Sequence, residues 1–170
     1  MKKIALLFSA IALTLMVSCG PGKNEAIAYN DHIMDIVNNL TVAHNGFLNQ
    51  IDGHNIDSLK MAQKVFSEKS KASLDEANKV GPFAEKTDYL NAAVEYFKTI
   101  NAIADNEGMQ MVEIMSKDSS QVTMEDIDKV DELAAKFDAS YEKSFNMIQE
   151  AQTKFASEWK FEIDKSGTHH

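Results

Sequence analysis

The sequence predicts an all-α protein, an antiparallel up-down-up-down four-helix bundle, on three observations. Apolar residues recur at spacings of three and four through four long stretches, which is the pattern of amphipathic helices. Short polar or glycine-containing turns separate these stretches, and helices joined by short turns pack as antiparallel neighbours. No stretch alternates apolar and polar residues as a half-buried strand would.

The first helix is expected from about Asn24 to Asp52. Its apolar stripe is interrupted by two polar residues, Asn30 and His44. The sequence Gly53-His54-Asn55 ends it, because glycine and asparagine favour turns. The apolar members of the stripe are Ala26, Tyr29, Ile33, Ile36, Val37, Leu40, Ala43, Phe47 and Ile51.

The second helix is expected over Ile56–Val80, and its stripe is the weakest of the four. Asn55 or Asp57 can cap its first turn, because a short polar side chain accepts hydrogen bonds from free backbone N–H groups. The pair Gly81-Pro82 is expected to end the helix, with the glycine in a left-handed cap. Phe83 follows as an apolar residue in a turn, so we expect it to tuck under the bundle.

The third helix is expected over Asp88–Lys117. One turn breaks its apolar pattern, where Glu107 and Gly108 occupy positions that should face the core. The polar turn 118–121 follows it. The sequence therefore predicts a local irregularity in the middle of this helix.

The fourth helix is expected to begin at a capping box formed by Thr123 and Asp126 and to run to about Ile163. At about 1.5 Å per residue it is the longest helix, so its last turns should overhang the end of the bundle where the first helix begins. The bundle then covers residues 24–164, and residues 165–170 are expected to be a frayed tail.

The overhang is rich in large apolar side chains, for which two interpretations stay open. Either they pack beneath the bundle against other aromatic rings, or Trp159 and Phe161 touch a membrane surface, as amphipathic aromatic side chains do. The residues concerned are Phe155, Trp159, Phe161 and Ile163, and the packing partners would be Tyr29, Phe83 and Tyr89.

Residues 1–18 have the order of a secretory signal peptide. Two lysines precede an apolar run that is too short for a comfortable membrane span. The run ends at Met16-Val17-Ser18-Cys19, which resembles the lipobox of bacterial lipoproteins, with methionine where leucine is commonest. A plain secreted protein with an unpaired thiol, or an uncleaved anchor helix, is the alternative.

The lipobox resemblance implies cleavage before Cys19 and attachment of diacylglycerol and an N-acyl chain, such as palmitate, to that residue. Each buried methylene of an acyl chain contributes about 0.8 kcal/mol, so two or three chains anchor a protein stably. Residues 19–23 would form a short lipidated tether. Gly20 favours the outer membrane by resemblance to the sorting rules of enteric lipoproteins, and the leaflet stays open.

The charge of the remaining chain excludes some partners. Without residues 1–18, 152 residues carry 15 lysines and 26 acidic side chains, a net charge of −11, and arginine is absent. Arginine supplies the planar fork that recognises phosphate and nucleic-acid bases. We therefore expect no nucleic-acid partner, and membrane attachment has to come from the acyl chains.

His44 and Glu107 are the candidate site residues. Counted from the starts of the parallel first and third helices, they lie at nearly the same height, and Gly108 would let a side chain or ligand approach the backbone. One hypothesis is a polar layer inside the bundle, with Gln63 and Lys136 at similar height. The alternative is that His44 is a boundary residue and Glu107 turns outward.

The sequence contains no motif for the common cofactors or catalytic centres. It lacks the Glu-x-x-His pairs of di-metal bundles, the paired cysteines of haem attachment and the glycine-rich phosphate loop. A methionine cluster could suggest copper, but its spacing is that of core residues. We therefore expect no enzyme, no metal and no cofactor beyond the lipid; the cluster is Met109, Met111 and Met115.

The segment Cys19–Ala26, followed by Tyr29-Asn30-Asp31, is similar to the start of leptospiral-type helical surface lipoproteins of unknown function. That resemblance implies a cell-envelope surface protein and transfers no catalytic residue. The resulting expectation is a lipid-anchored, non-enzymatic binding or structural protein with an unidentified protein or envelope partner. A small-ligand or metal carrier using the polar layer is one alternative, and a chaperone-like or stress lipoprotein of the periplasm is another.

Overall fold

The computed structural model describes residues 21–51, 53 and 55–163, and in these ranges the chain is all-helical and contains no strand. The fold class predicted from the sequence is confirmed at this level. The helices are α1 (Lys23–Ile51), α2 (Ile56–Ala77), α3 (Asp88–Ile103), α4 (Met109–Met115) and α5 (Met124–Trp159).

A π-helical turn, Ala104–Gly108, joins α3 to α4 without a break, and we call it the π-turn. The part of the chain that the structure describes therefore forms four helical rods. The predicted signal peptide, the lipobox with Cys19, and the predicted tail at 165–170 lie outside the described residues. None of the described helices combines the length and the apolar composition needed to cross a membrane.

Two helix starts follow the predicted capping chemistry. The Asn55 side-chain oxygen accepts a hydrogen bond from the Ser58 backbone N–H at 3.0 Å, at the start of α2. At the start of α5, the Thr123 hydroxyl accepts from the Asp126 N–H at 3.1 Å, and the Asp126 carboxylate accepts from the Thr123 N–H at 3.0 Å. Both predicted caps are confirmed, because each satisfies N–H groups that lack a partner in the first turn.

The predicted end of α2 is wrong. The helix ends at Ala77, three residues before Val80, and Gly81 does not adopt the left-handed conformation. The left-handed residues are instead Ala84 and Glu85, with φ of 50° and 64°. They form the centre of a tight turn whose flanking residues, Phe83 and Lys86, exchange two backbone hydrogen bonds of 3.2 and 2.9 Å.

The predicted end of the last helix at about Ile163 is also wrong, because α5 ends at Trp159. Lys160 is left-handed, with φ of 58°, and the Phe161 N–H donates to the Ala156 carbonyl at 3.1 Å. This is the hydrogen-bond pattern of a Schellman cap, which turns the chain back on the helix. Phe161 is consequently buried, and its ring centroid lies 6.0 Å from that of Phe155.

The large apolar residues at this end pack beneath the bundle, as the first of the two interpretations predicts. Phe83 lies 4.9 Å from Trp159 and 5.1 Å from Tyr29, measured between ring centroids. Phe155 lies 5.1 Å from Tyr89. The expectation that Phe83 tucks under the bundle is confirmed, since only 9% of its surface is exposed.

The four rods pack unevenly around the core. The contacts of α1 with α2, of α3 with α5 and of α2 with α3 are extensive, whereas α1 and α5 touch at few points. Small or short side chains on α2, such as Ala62, Ser70 and Ala77, allow close approach. On α5 the bulky Tyr141 and Phe145 stand at the boundary with α1, and bulky contact residues increase the distance between helix axes.

Candidate functional site

The irregularity predicted around Glu107 and Gly108 is the π-turn. A π-turn accommodates one extra residue and weakens the regular helical hydrogen bonding, and such turns are frequent at functional sites. The Gln63 amide of α2 donates a hydrogen bond to the Ala104 carbonyl at 3.1 Å. A side chain from a neighbouring rod thus satisfies a backbone group of the irregular turn.

Glu107 points inward, with 5% of its surface exposed, so the alternative that it turns outward does not describe its side chain. One of its carboxylate oxygens lies 2.5 Å from the Lys136 ammonium, whose side chain is 65% exposed. The hydrogen bond to Glu107, together with the charge of that carboxylate, raises the pKa of Lys136. The pair therefore connects the π-turn to α5, with the acid buried and the base in solvent.

Gly108 faces the ring of Phe47 on α1. A Cβ atom at this position would lie 3.6 Å from the ring and 3.4 Å from the Ile103 carbonyl oxygen, which are ordinary contact distances. The space beside Gly108, which the sequence suggested for a side chain or a ligand, holds an aromatic side chain. The close approach is therefore part of the core.

His44 is buried, with 5% of its surface exposed, and it is enclosed by aromatic rings. It stacks on Tyr141 with a centroid distance of 4.2 Å and an interplanar angle of 11°, and on Phe137 at 5.5 Å and 10°. Neither of its ring nitrogens has a hydrogen-bond partner. Burial lowers its pKa to about 4, against the opposing charge of Asp138, so the ring is neutral at pH 7.

The stack continues outward from His44. Tyr141 and Phe145, one turn apart on α5, are also nearly parallel, at 10° and 5.9 Å. Four rings of similar orientation therefore run in series from the core towards the boundary between α1 and α5. We call Phe137, His44, Tyr141 and Phe145 the ring column.

The structure brings together three of the four residues proposed for a polar layer. Gln63 and Lys136 reach the π-turn from α2 and α5 and contact Ala104 and Glu107. His44 makes no hydrogen bond with this group. It lies one helical turn from Phe47, which packs on Gly108, so an aromatic layer adjoins the polar one.

A second buried polar group was noted in the sequence only as an interruption of the α1 stripe. Asn30 is fully buried, and its side-chain oxygen accepts hydrogen bonds from the Tyr89 hydroxyl at 3.2 Å and the Gln152 amide at 2.9 Å. Burial raises the pKa of Tyr89 well above its usual value, so this hydroxyl remains a donor. One residue of α1 thus connects α3 and α5.

Polar residues that weaken the apolar stripe of α2 have partners on α3 and the π-turn. The Ser67 hydroxyl donates to Asp105 at 2.5 Å, and the Ser70 hydroxyl donates to Asn101 at 3.2 Å. Ser70 is fully buried. The weak stripe therefore corresponds to a polar contact between two rods.

The described residues contain no group of three His, Cys, Asp or Glu side chains placed to hold a metal ion. The methionine cluster does not share one face either, since Met109 is 52% exposed and Met111 is 1% exposed. Met111 has the burial of an ordinary core residue.

Two open grooves run between rods. The groove between α1 and α2 has a volume of about 970 Å³ and exposes Val42 and Met61, which are 73% and 64% accessible. The groove between α1 and α5 has a volume of about 780 Å³, and Tyr141 and Phe145 of the ring column line it. Both volumes are in the range of small-molecule sites.

Comparisons with protein families, with curated proteins and with solved structures find no match for this chain. Its function therefore has to be argued from its own residues, the geometry of the π-turn and the two grooves.

Proposed function

We propose that this chain is a bacterial lipoprotein, acylated at Cys19 and anchored in the cell envelope, that acts by binding or as a structural component rather than by catalysis. The observation that carries the proposal is the junction Met16-Val17-Ser18-Cys19, where an apolar run ends at the single cysteine of the chain. A single cysteine has no partner for an internal disulfide, and acylation accounts for its place at the end of the apolar run.

We further propose that the rods form an up-down-up-down bundle. In support, Tyr29 near the start of α1 donates to the Gly81 carbonyl, just after α2, at 3.0 Å. Asn30 binds Tyr89 at the start of α3 and Gln152 near the end of α5. These contacts suit rods of alternating direction, with the start of α1 next to the end of α5.

This arrangement would place the aromatic end of the bundle close to the lipid. Lys23, the first residue of α1, follows Cys19 by four residues, so the tether is short. The opposite end carries the polar turn before α5 and the acidic start of that helix. With a net charge of −11 on the mature chain, a partner arriving from solution would meet an acidic, outward-facing surface.

A binding or structural role fits the buried ionisable groups better than catalysis does. Glu107 is paired with Lys136, and His44 has both nitrogens enclosed by rings. A general base needs to reach the proton that it removes, and neither side chain is presented to a substrate in this way.

Two further roles have specific observations in their favour. A chaperone-like role would use the exposed apolar side chains of the α1–α2 groove, Val42, Met61 and Val65. A small-ligand carrier would use the α1–α5 groove. Of the two grooves, the α1–α5 groove has the more distinctive lining, because none of its lining residues is charged.

Replacing Cys19 by Ala tests the anchor. We expect the wild-type chain in the membrane fraction with incorporated radioactive palmitate, and the Cys19→Ala variant without label and extractable by salt or carbonate. Ser18→Ala is the matched control, because it changes the neighbouring residue and keeps the thiol; it should stay anchored. Carbonate-resistant membrane association of Cys19→Ala would falsify acylation as the means of attachment.

A further inference from the structure

The α1–α5 groove is notable for its lining. Thirteen residues line it, and none of these described residues is charged, although one quarter of the whole chain is Asp, Glu or Lys. Seven are apolar or aromatic, and the other six carry an amide or a hydroxyl group. The side chains therefore provide both contact area and hydrogen-bonding groups without a net charge.

The two kinds of side chain are arranged in layers. Buried apolar residues such as Val37 and Phe161 lie at the base, and exposed polar residues such as Asn38, Gln149 and Thr153 lie along the rim. The lining on α5 extends from Tyr141 to Ser157, and these seventeen residues of helix span about 24 Å. The site is therefore elongated, with an apolar base and polar edges.

The ring column gives this groove a fixed aromatic wall. Tyr141 is held by the stacked ring of His44 at 4.2 Å, and Phe145 is nearly parallel to Tyr141. Both residues are half-buried, so each has part of its surface in the groove. Because packing already fixes their orientation, a ligand that contacts them does not lose free energy by ordering them.

These features select among ligand classes. A charged ligand would lose hydration and find no opposite charge in the lining, which is unfavourable. An alkyl chain would displace water from the exposed amides of Asn38 and Gln149 and leave them without hydrogen bonds, whereas the Thr41 and Thr153 hydroxyls already donate to backbone carbonyls. A pyranose ring offers C–H faces for aromatic and aliphatic side chains and hydroxyl groups for amides and hydroxyls.

We propose that the α1–α5 groove is a binding site for a neutral oligosaccharide. Phe145, the outermost ring of the column, contacts the C–H faces of the sugar rings with Tyr141 packed beside it, and the rim residues, Gln149 among them, exchange hydrogen bonds with the sugar hydroxyl groups. This assignment deepens the binding role proposed above by naming a ligand class, and it does not depend on how the chain is anchored.

Isothermal titration calorimetry on the full chain tests the proposal, in a polyoxyethylene detergent that carries no sugar headgroup. The probes are chitohexaose, cellohexaose, maltohexaose and mannohexaose, with hexagalacturonate as the charged counterpart and dodecanol as the alkyl counterpart. We expect at least one neutral hexasaccharide to bind, and we expect no binding of hexagalacturonate or dodecanol. The proposal is overturned if none of the neutral hexasaccharides binds, whether or not dodecanol binds.

Substitutions then locate the binding. Gln149→Leu removes one rim amide and should lower the affinity for the sugar at least tenfold. Gln110→Leu makes the same change at an exposed position on α4 and should leave the affinity unchanged. Phe145→Leu keeps an apolar side chain and removes a ring, so it should also lower the affinity for the sugar at least tenfold. Equal affinity in all three variants would place the sugar elsewhere and overturn the assignment to this groove.

Unfolding in urea identifies any variant whose fold is damaged. The pair at positions 149 and 110 keeps the test decisive even if Phe145→Leu is unstable, because both glutamines are exposed. The anchoring assay with Cys19→Ala has an independent readout, so failure of the anchor and failure of sugar binding are separate results.

Discussion

Asn30 and His44 lie on the same buried face of α1, four turns apart, and the regions around them hold a polar side chain in different ways. Around Asn30, a hydroxyl from α3 and an amide from α5 donate to one carbonyl oxygen. Around His44, the neighbours are rings from α2 and α5, and its two nitrogens have no hydrogen-bond partner.

The two residues differ in how strictly they fix the register of α1 against the other helices. The Asn30 hydrogen bonds have defined partners, and these partners can be reached only in one register of α1 against α3 and α5, as with single buried polar residues in coiled coils. His44 is packed as a flat aromatic ring, and stacking tolerates small shifts. Its two buried nitrogens without hydrogen-bond partners lower stability at neutral pH, and they make this region sensitive to acid.

The largest effect is expected from Asn30→Leu. Leucine has a similar size but accepts no hydrogen bond, so the buried Tyr89 hydroxyl and Gln152 amide would lose their acceptor. We expect the free energy of unfolding in urea to fall by about 2–4 kcal/mol. The matched control is Asn45→Leu, an exposed asparagine on the same helix, which should change stability by less than about 0.5 kcal/mol. Equal effects of the two substitutions would show that the hydrogen bonds of Asn30 are unimportant.

The next effect is the pH dependence that His44 confers. The pKa of His44 is about 4 in the folded chain, against 6.5 for an ordinary histidine, so between these values the unfolded chain binds a proton that the folded chain does not. The contribution of neutral His44 to the free energy of unfolding is therefore fully present above pH 6.5, and it is lost as the pH falls from 6.5 to 4. The loss is at most about 3.5 kcal/mol, from about 1.4 kcal/mol per pKa unit.

His44→Phe isolates this term, since phenylalanine keeps the stacking and does not titrate. We expect the difference in unfolding free energy between the variant and the wild type to grow in favour of the variant as the pH falls from 7 to 4.5. His32→Phe, at an exposed position of α1, is the control, and its difference should stay nearly constant. Parallel curves for wild type and His44→Phe would mean that His44 is readily protonated in the folded state.

The sequence was sufficient for features that depend on neighbours along the chain. Helical spacing predicted the rods, and the caps at Asn55 and Thr123 were confirmed because a cap needs only residues within one turn. The irregularity at Glu107 and Gly108 was visible as a break in periodicity. Its form as a π-turn, with Gln63 as the partner of a backbone carbonyl, depends on packing against α2.

Features set by contacts distant in sequence were missed or wrong. The partners of Asn30 are 59 and 122 residues away, and nothing in the α1 stripe indicates them. His44 and Glu107 were both selected as polar residues on apolar stripes, and both are buried, yet their neighbours differ completely. The end predicted near Ile163 was wrong because Lys160, rather than a glycine, adopts the left-handed conformation that ends α5. The end predicted near Val80 was wrong because α2 stops at Ala77 with a right-handed cap at Asn78, and the left-handed residues, Ala84 and Glu85, lie in the following turn.

The smallest predicted effect concerns the turn that closes the Asn30 region. Lys160 adopts a left-handed conformation that costs a non-glycine residue about 1 kcal/mol, and this turn brings Phe161 against Phe155. Lys160→Gly should therefore raise the free energy of unfolding by about 0.5–1 kcal/mol, less the extra entropy of glycine in the unfolded chain. Lys143→Gly, in the exposed interior of α5, is the matched control and should lower it by about 1 kcal/mol.

Combining Lys160→Gly with Asn30→Leu shows whether this end of the bundle is one cooperative unit. If the turn and the Asn30 hydrogen bonds act independently, the two effects on unfolding free energy add to within about 0.5 kcal/mol. A smaller gain from Lys160→Gly in the Asn30→Leu background would mean that Phe161 is held in place partly through Gln152 and α5. Repeating the combination with His44→Phe should give additive effects, because His44 lies fourteen residues, about 21 Å of helix, from Asn30 on α1.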